Sequence, residues 1–351
     1  MASGKLAFAI PGGLDQRTGG TIYDRRIVET LSAQGWAARA ISLPGAFPNP
    51  SPEEMREALS LLRAVPGDEA LIVDGLAFGA LDTAELAGLD RPPIAMVHHP
   101  IGMEAGLSPD LARILIARER ANLGHARHVI VPSTHTADIL RLRFDVPAER
   151  ITVARPGLDN ATCGQRRAVH PPLILSVGIL ARRKGHDILL AALRALTDLD
   201  WQAVLAGRAH DPETEAELRA LLDGAGLAGR VRIAGEVPDG ELARLYGAAS
   251  IFALATRYEG YGIVFGEAMR SGLPIVSCDV GAVPETVPEG AGLLVPPDNP
   301  DAFAAALRRL LEDRPLRRSM AAAARRHGTA LPGWEETARI VAGVIAQGDR
   351  F

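Results

Sequence analysis

With 351 residues, the chain exceeds the roughly 250–300 at which a single core stops growing, so two domains are expected. Its 47% hydrophobic and 23% charged residues exclude an extended disordered chain, and a net charge of −4 gives no broad basic surface for nucleic acid. Two cysteines, Cys163 and Cys278, stand far apart in no metal or redox spacing and read as free thiols in a reducing, cytoplasmic compartment.

The chain opens with KLAFAI, residues 5–10, a short apolar run cut off by Pro11-Gly12-Gly13 that suits a buried first strand rather than a leader. Next come Thr18-Gly19-Gly20 and a helix over roughly 21–33. Glycines before a helix start expose N–H groups that can hold an anion, so Gly20 is a candidate, though a plain tight turn explains the same residues. The spacing is not GxGxxG, and no acidic residue follows a second strand at the dinucleotide distance, which disfavours nicotinamide chemistry.

ALIVDG, PIAMVHHP and HVIVPS follow as further buried strands. Neighbouring side chains on a strand point to opposite sides, so at most one of His98 and His99 faces a site, and His98 is the candidate. Glu104 lies too deep in a loop to complete a His/His/Glu centre, so no metal is expected. Arg113, Arg118, Arg120 and Arg127 compose either a helix face for anionic membranes or ordinary solvated surface, and the second reading is preferred. No run of about 18 apolar residues is present to span a bilayer.

Residues 160–172, polar and closed by Pro171-Pro172, read as a linker. Beyond it LILSVG, WQAVLAG, RVRIAG, SIFALAT and PIVSCD alternate with helical segments, so the fold class is α/β with parallel sheets covered on both faces. Ligands in such sheets bind at the carboxyl ends of strands. The loop after LILSVG carries Arg182, Arg183 and Lys184 ahead of a helix, a strong anion site that reads as a diphosphate clamp. Of 38 basic residues only Lys5 and Lys184 are lysine, which makes a merely solvated turn the weaker explanation. Asp198-Leu199-Asp200 precedes a strand at its amino end and reads as a surface turn, not a magnesium site.

In RYEGYGIVFGEAMRSGLPIV, residues 257–276, Gly260 and Gly262 permit close backbone approach, and a helix runs from about Ile263 to Ser271-Gly272. Its first N–H groups, at Ile263 and Val264, face the strand-end site, with Glu259 before the helix and Glu267 inside it. Spacing alone leaves a pair of glycosidase acids open. The tail places Trp334, Ala338, Val341 and Ile345 on one helical stripe that needs a docking surface.

EGYGIVFGE resembles the E-x7-E signature of family-4 glycosyltransferases, retaining enzymes of the GT-B fold. LSVGILARRKG is similar to that family's phosphate-binding lysine loop, ITVARPGLD to its pre-linker segment, RVRIAGEVPDGELARLYGAASIF to its nucleotide-side segment, and GAVPETV with GLLVPPDNP to its late loops. The resemblance covers nearly the whole chain and is sharpest from Leu173 to Pro300; TGG and VHHP match more loosely. Many members carry arginine directly after the strand's glycine; here that position is Ile179, so Arg182 or Arg183 is left to replace it, and Arg183 is favoured because it adjoins Lys184.

The resemblance implies two Rossmann-like α/β/α domains facing across a cleft: residues 1–165 on the acceptor side, 166–330 on the donor side, and 331–351 as a helix crossing back to the first. It implies transfer of a hexose from a UDP- or GDP-sugar to an acceptor hydroxyl, with retention, no metal and no cofactor beyond the nucleotide sugar. Glu259 would contact sugar hydroxyls, Glu267 the ribose, and His98 the sugar from the other domain. Lys184 would neutralise the diphosphate with Arg183 and the N–H groups from Tyr261 through Gly262 and Ile263 to Val264, and Gly20 would line the cleft. The rivals are a sugar-nucleotide epimerase of the same fold and a non-catalytic nucleotide-sugar-binding protein.

Overall fold

The computed structural model describes residues 4–16, 18–104, 106–159, 167–209 and 212–348. Cys163 and the domain boundary expected at 165/166 lie outside them. The chain forms two compact units, one of Met1–Gly157 with Pro332–Phe351 and one of Leu158–Leu331.

The first unit holds β1 (Lys5–Pro11), β2 (Ala37–Leu43), β3 (Ala70–Asp74), β4 (Ile94–Met96), β5 (His128–Val131) and β6 (Ile151–Val153) in the order β2-β1-β3-β4-β5-β6. Every pairing is parallel. Between β1 and β2 runs the helix Gly19–Ala33, started by the Thr18 side chain, which accepts from Thr21 N at 3.2 Å. The helix Trp334–Gly348 packs on it, with Trp334 edge-on to Tyr23 at 5.6 Å and the Thr337 hydroxyl donating to Arg155 O at 2.7 Å. Trp334, Ala338, Val341 and Ile345 are all buried, so the stripe has its docking surface.

The second unit holds β7 (Leu173–Val177), β8 (Gln202–Ala206), β9 (Val231–Gly235), β10 (Ile251–Leu254), β11 (Ile275–Cys278) and β12 (Gly292–Val295), ordered β12-β11-β10-β7-β8-β9 and parallel throughout. Alternation along β10 separates two cores: Ile251 and Ala253 join Leu189, Trp201 and Phe303, while Phe252 and Leu254 join Tyr246, Phe265 and Met269. That alternation places helices on both faces, as a parallel sheet requires.

β2, β6 and β12 have no counterpart among the apolar runs expected from sequence. Each is an edge strand and partly exposed along its length; β2 is interrupted by Arg39 and Ser42, β6 is only three residues long, and β12, although apolar, reads from sequence as part of the late loop GLLVPPDNP. Among the described residues no helix is long and apolar enough to cross a membrane.

Candidate functional site

In each sheet the strand order turns back at one point, between β1 and β3 in the first unit and between β10 and β7 in the second. The loops leaving those strands carry a cluster of ionisable side chains in each unit, where open parallel sheets bind ligands.

In the first unit β3 ends on Asp74, β4 leads into His98, and the helix after β1 carries Asp24. His98 Nε2 lies 2.8 Å from Asp24 Oδ1 and 3.6 Å from Asp74 Oδ2. Asp24 is fully buried and Asp74 nearly so. Burial and the neighbouring Asp24 charge push the Asp74 carboxyl up to about 7, with His98 opposing. Burial alone would lower the His98 imidazole, but the charge and hydrogen bond of Asp24, with Asp74 behind it, raise it. The cluster therefore favours an imidazolium donating to Asp24. Gly20 makes room for it: a β-carbon there would come within 3.0 Å of the His98 ring. Tyr23 meets the same ring edge-on at 5.1 Å. The carboxylate and imidazole ligand atoms lie within 4.8 Å of one another, a spacing that suits a cation, yet Nε2 facing Asp24 at 2.8 Å needs a proton where a metal needs a lone pair. His99 goes elsewhere, with Nε2 at 3.5 Å from Glu104.

In the second unit β7 and β10 are hydrogen-bonded neighbours, so the loops at their carboxyl ends meet although 75 residues separate them. Lys184 Nζ donates to Glu259 Oε1 at 2.5 Å, with the Thr256 hydroxyl 3.1 Å and Arg183 Nη1 3.9 Å from the same oxygen. Burial would raise the Glu259 carboxyl, but the Lys184 and Arg183 charges and the bonds from Lys184 and Thr256 hold it below its ordinary value. Gly185, at φ +64°, makes the turn behind Lys184 possible, because a β-carbon there would overlap Ala255 O at 1.9 Å. Arg183 also donates to Tyr258 O at 3.2 Å, whereas the Arg182 side chain is exposed, so of the two it is Arg183 that shares Glu259 with Lys184.

The loop continues through Gly260 and buried Tyr261, whose carbonyl accepts from the Thr286 hydroxyl at 2.7 Å, to Gly262 at φ +85°. Gly262 caps the helix Ile263–Arg270, with Ile263 and Val264 half-buried in its first turn. Glu267 lies one turn further on and accepts from the Tyr246 hydroxyl at 2.8 Å. Burial raises its carboxyl, Tyr246 opposes this, and Asp159 and Asp239 add to it. The two glutamates thus have different partners and shifts of opposite direction: Glu259 is held ionised by cations, Glu267 is served by a neutral hydroxyl.

Asp198, in the acidic doublet before β8, pairs with Arg308 at 2.7 Å on the surface. Sequence reasoning missed Asp24, Asp74, Thr256 and Tyr246. Asp74 had a readable signal, an acid closing a buried apolar run; the other three had none, because their roles come from elements distant in the chain.

The chain matches the family described as "Glycosyl transferases group 1" over residues 164–327 and that described as "Glycosyltransferase Family 4" over residues 23–162. It is 33% identical over 214 residues, 58% of its length and 51% of the relative's, to a D-inositol 3-phosphate glycosyltransferase of Corynebacterium glutamicum. The chain spans about half the length of the curated relatives it matches. Among solved structures, a sucrose-phosphate synthase from Thermosynechococcus elongatus aligns with TM-score 0.84 at 24% identity over 98% of this chain and 99% of that one. Anabaena Alr3699/HepE in complex with UDP-glucose aligns with TM-score 0.80 at 16% identity over 97% and 100%. These likenesses establish the shared GT-B fold.

Proposed function

Because the chain belongs to the glycosyltransferases described by those two families, we propose that it moves a hexose from a nucleotide diphosphate sugar to an acceptor hydroxyl, with the anomeric configuration retained and no metal required. The observation that carries this reading is the cluster at the carboxyl ends of β7 and β10, where Lys184 and Arg183 converge on the buried carboxylate of Glu259.

Glycosyl transfer builds positive charge on the sugar ring and negative charge on the departing diphosphate. Lys184, with the first N–H groups of the helix Ile263–Arg270, is suited to the departing charge, and a fixed cation beside helix-end amides needs no reorganisation at the moment of reaction. Glu259, kept ionised, is an acceptor for sugar hydroxyls. Glu267 takes the ribose hydroxyls. His98 is a donor to the sugar, and Asp24 and Asp74 keep its ring charged. A leaving-phosphate oxygen takes the acceptor's proton on the same face of the sugar, so the scheme asks for no protein base. The HepE complex names UDP-glucose as that protein's ligand, which makes UDP-hexoses the first donors to try.

The test is release of nucleoside diphosphate from a panel of UDP- and GDP-sugars, with and without acceptors, D-inositol 3-phosphate among them, and with EDTA in parallel. Turnover that needs an acceptor and ignores EDTA is expected. Isomerised donor sugar without any acceptor, followed by NMR, would replace the proposal with an epimerase.

A further inference from the structure

Glu267 is not held by the helix that carries it. Its Oε2 accepts from Tyr246, a fully buried residue 21 positions earlier on the helix Asp239–Ala248. The tyrosine ring is fixed in turn, stacked on Phe252 of β10 at 6.2 Å and 17°, and Phe252 meets Phe265 edge-on at 5.9 Å. Phe265 belongs to the same helix as Glu267, so one aromatic chain links the hydroxyl, the central strand and the helix. A carboxylate has two oxygens and about four acceptor sites, and a donor fixed on Oε2 sets the plane in which Oε1 is presented. For a buried tyrosine, packing alone is satisfied by phenylalanine; the hydroxyl is the part that packing does not explain.

We propose that Tyr246 is a positioning residue for nucleotide binding: its hydroxyl orients Glu267 so that the remaining oxygen meets the ribose hydroxyls of a nucleoside diphosphate. This rests on the proposed function, in which Glu267 receives the ribose. The groups acting on Glu267 are Tyr246, Asp159 and Asp239. The two aspartates oppose its ionisation and the tyrosine favours it, so the hydroxyl also helps sustain the acceptor form that ribose hydroxyls require.

Titration calorimetry with UDP, GDP and their 2′-deoxy and 3′-deoxy analogues tests this on wild type, Tyr246→Phe, Glu267→Gln and the double variant. Wild type is expected to prefer the ribonucleotide over at least one deoxy analogue. Tyr246→Phe is expected to lose about tenfold in ribonucleotide affinity, the scale of a hydrogen bond to a charged group, while deoxy-analogue affinity changes little. Binding by the variant should also weaken at a higher pH than wild type as the solution is acidified, because Glu267 has lost the donor that favours its ionised form. In the Glu267→Gln background the same substitution should change ribose preference no further. Equal weakening toward ribo and deoxy ligands with an unmoved pH profile would reduce Tyr246 to packing and overturn the proposal alone. A wild type that shows no ribose preference, or no nucleotide binding, would overturn it together with the assignment of Glu267.

Discussion

Replacing Lys184 by methionine keeps the aliphatic stem and deletes the charge that faces Glu259. Both side chains are largely out of solvent, Lys184 at 11% and Glu259 at 6% exposure, and the bond between them is 2.5 Å long. Removing one member of such a buried pair costs about 3–5 kcal/mol, because the other charge is left in a poorly solvated place. Arg183 at 3.9 Å and Thr256 at 3.1 Å still face Glu259, so the lower end, about 3 kcal/mol, is expected. The sign with pH is specific. In wild type the Glu259 carboxyl is held below its ordinary 4.5, so its contribution to stability is present above pH 4.5 and is lost as acidification passes the lowered value. In the variant burial dominates, the carboxyl is pushed up, and stability is lost as pH rises from that same 4.5. The gap between the proteins should therefore be full near pH 7 and shrink as acidification passes the lowered carboxyl value of wild type. Urea unfolding, read by hydrogen exchange in β7 and β10 so that the second unit is followed by itself, measures it. Adding Glu259→Gln should recover much of the loss at pH 7. A pH-independent gap, or a double variant no more stable than Lys184→Met, would refute an ion pair as the source.

Glu119, in the helix Pro109–Gly124, accepts from Ile101 N at 3.0 Å, and burial pushes its carboxyl up to about 8. Its contribution to stability is present below its ordinary 4.5 and is lost as pH rises through about 8, so Glu119→Gln should gain on wild type between pH 5 and 9 in thermal melts. Gly262→Ala puts a side chain at φ +85° and within 2.5 Å of the Phe265 ring, and should cost more than about 1 kcal/mol in urea unfolding while lowering nucleotide affinity. Gly157→Ala would set a β-carbon 2.3 Å from Trp334 N, so hydrogen exchange should show the helix Trp334–Gly348 loosened from the first unit. Glu259→Gln should blunt discrimination between donor sugars and leave nucleoside diphosphate affinity within a few fold, as competition assays would show.

From sequence, Lys184 reads as one cation of an anion-binding loop; the structure also makes it the counter-charge of a buried carboxylate, and the reason is sheet order. Each loop is legible by itself: the basic triplet after LILSVG and the glycine-spaced glutamates after SIFALAT. Nothing local says that β10 crosses back to lie beside β7, and that adjacency alone turns a surface-like lysine into the counter-charge of a buried carboxylate. The edge strands were hidden for the opposite reason. β2 alternates exposed and half-buried positions before its apolar end and β6 is only Ile-Thr-Val, so neither carries a run of the kind that marked the central strands; β12 does, as GLLV, but it runs straight into Pro296-Pro297 and reads as part of a loop.

The two clusters solve one electrostatic problem with opposite signs. A side chain must stay charged at a strand end where burial favours its neutral form. In the first unit two carboxyls surround an imidazole, and the Asp74 carboxyl is raised to about 7, so near neutrality it is only partly ionised and the negative charge facing the imidazolium is reduced. In the second unit two cations surround a carboxylate, which leaves a net positive charge where the proposed function puts a diphosphate. That asymmetry fits the proposed chemistry: the second cluster has an excess cation for a leaving anion, while the first is balanced and suited to hydrogen bonding with neutral hydroxyls. Substituting Asp74 by asparagine tests the difference, since a balanced cluster should tolerate loss of a carboxyl that is half-protonated near neutrality. The expected result is a modest change in KM for the donor and in the pH dependence of turnover. A large loss of turnover with an unmoved pH dependence would mean that Asp74 carries a charge the first cluster needs.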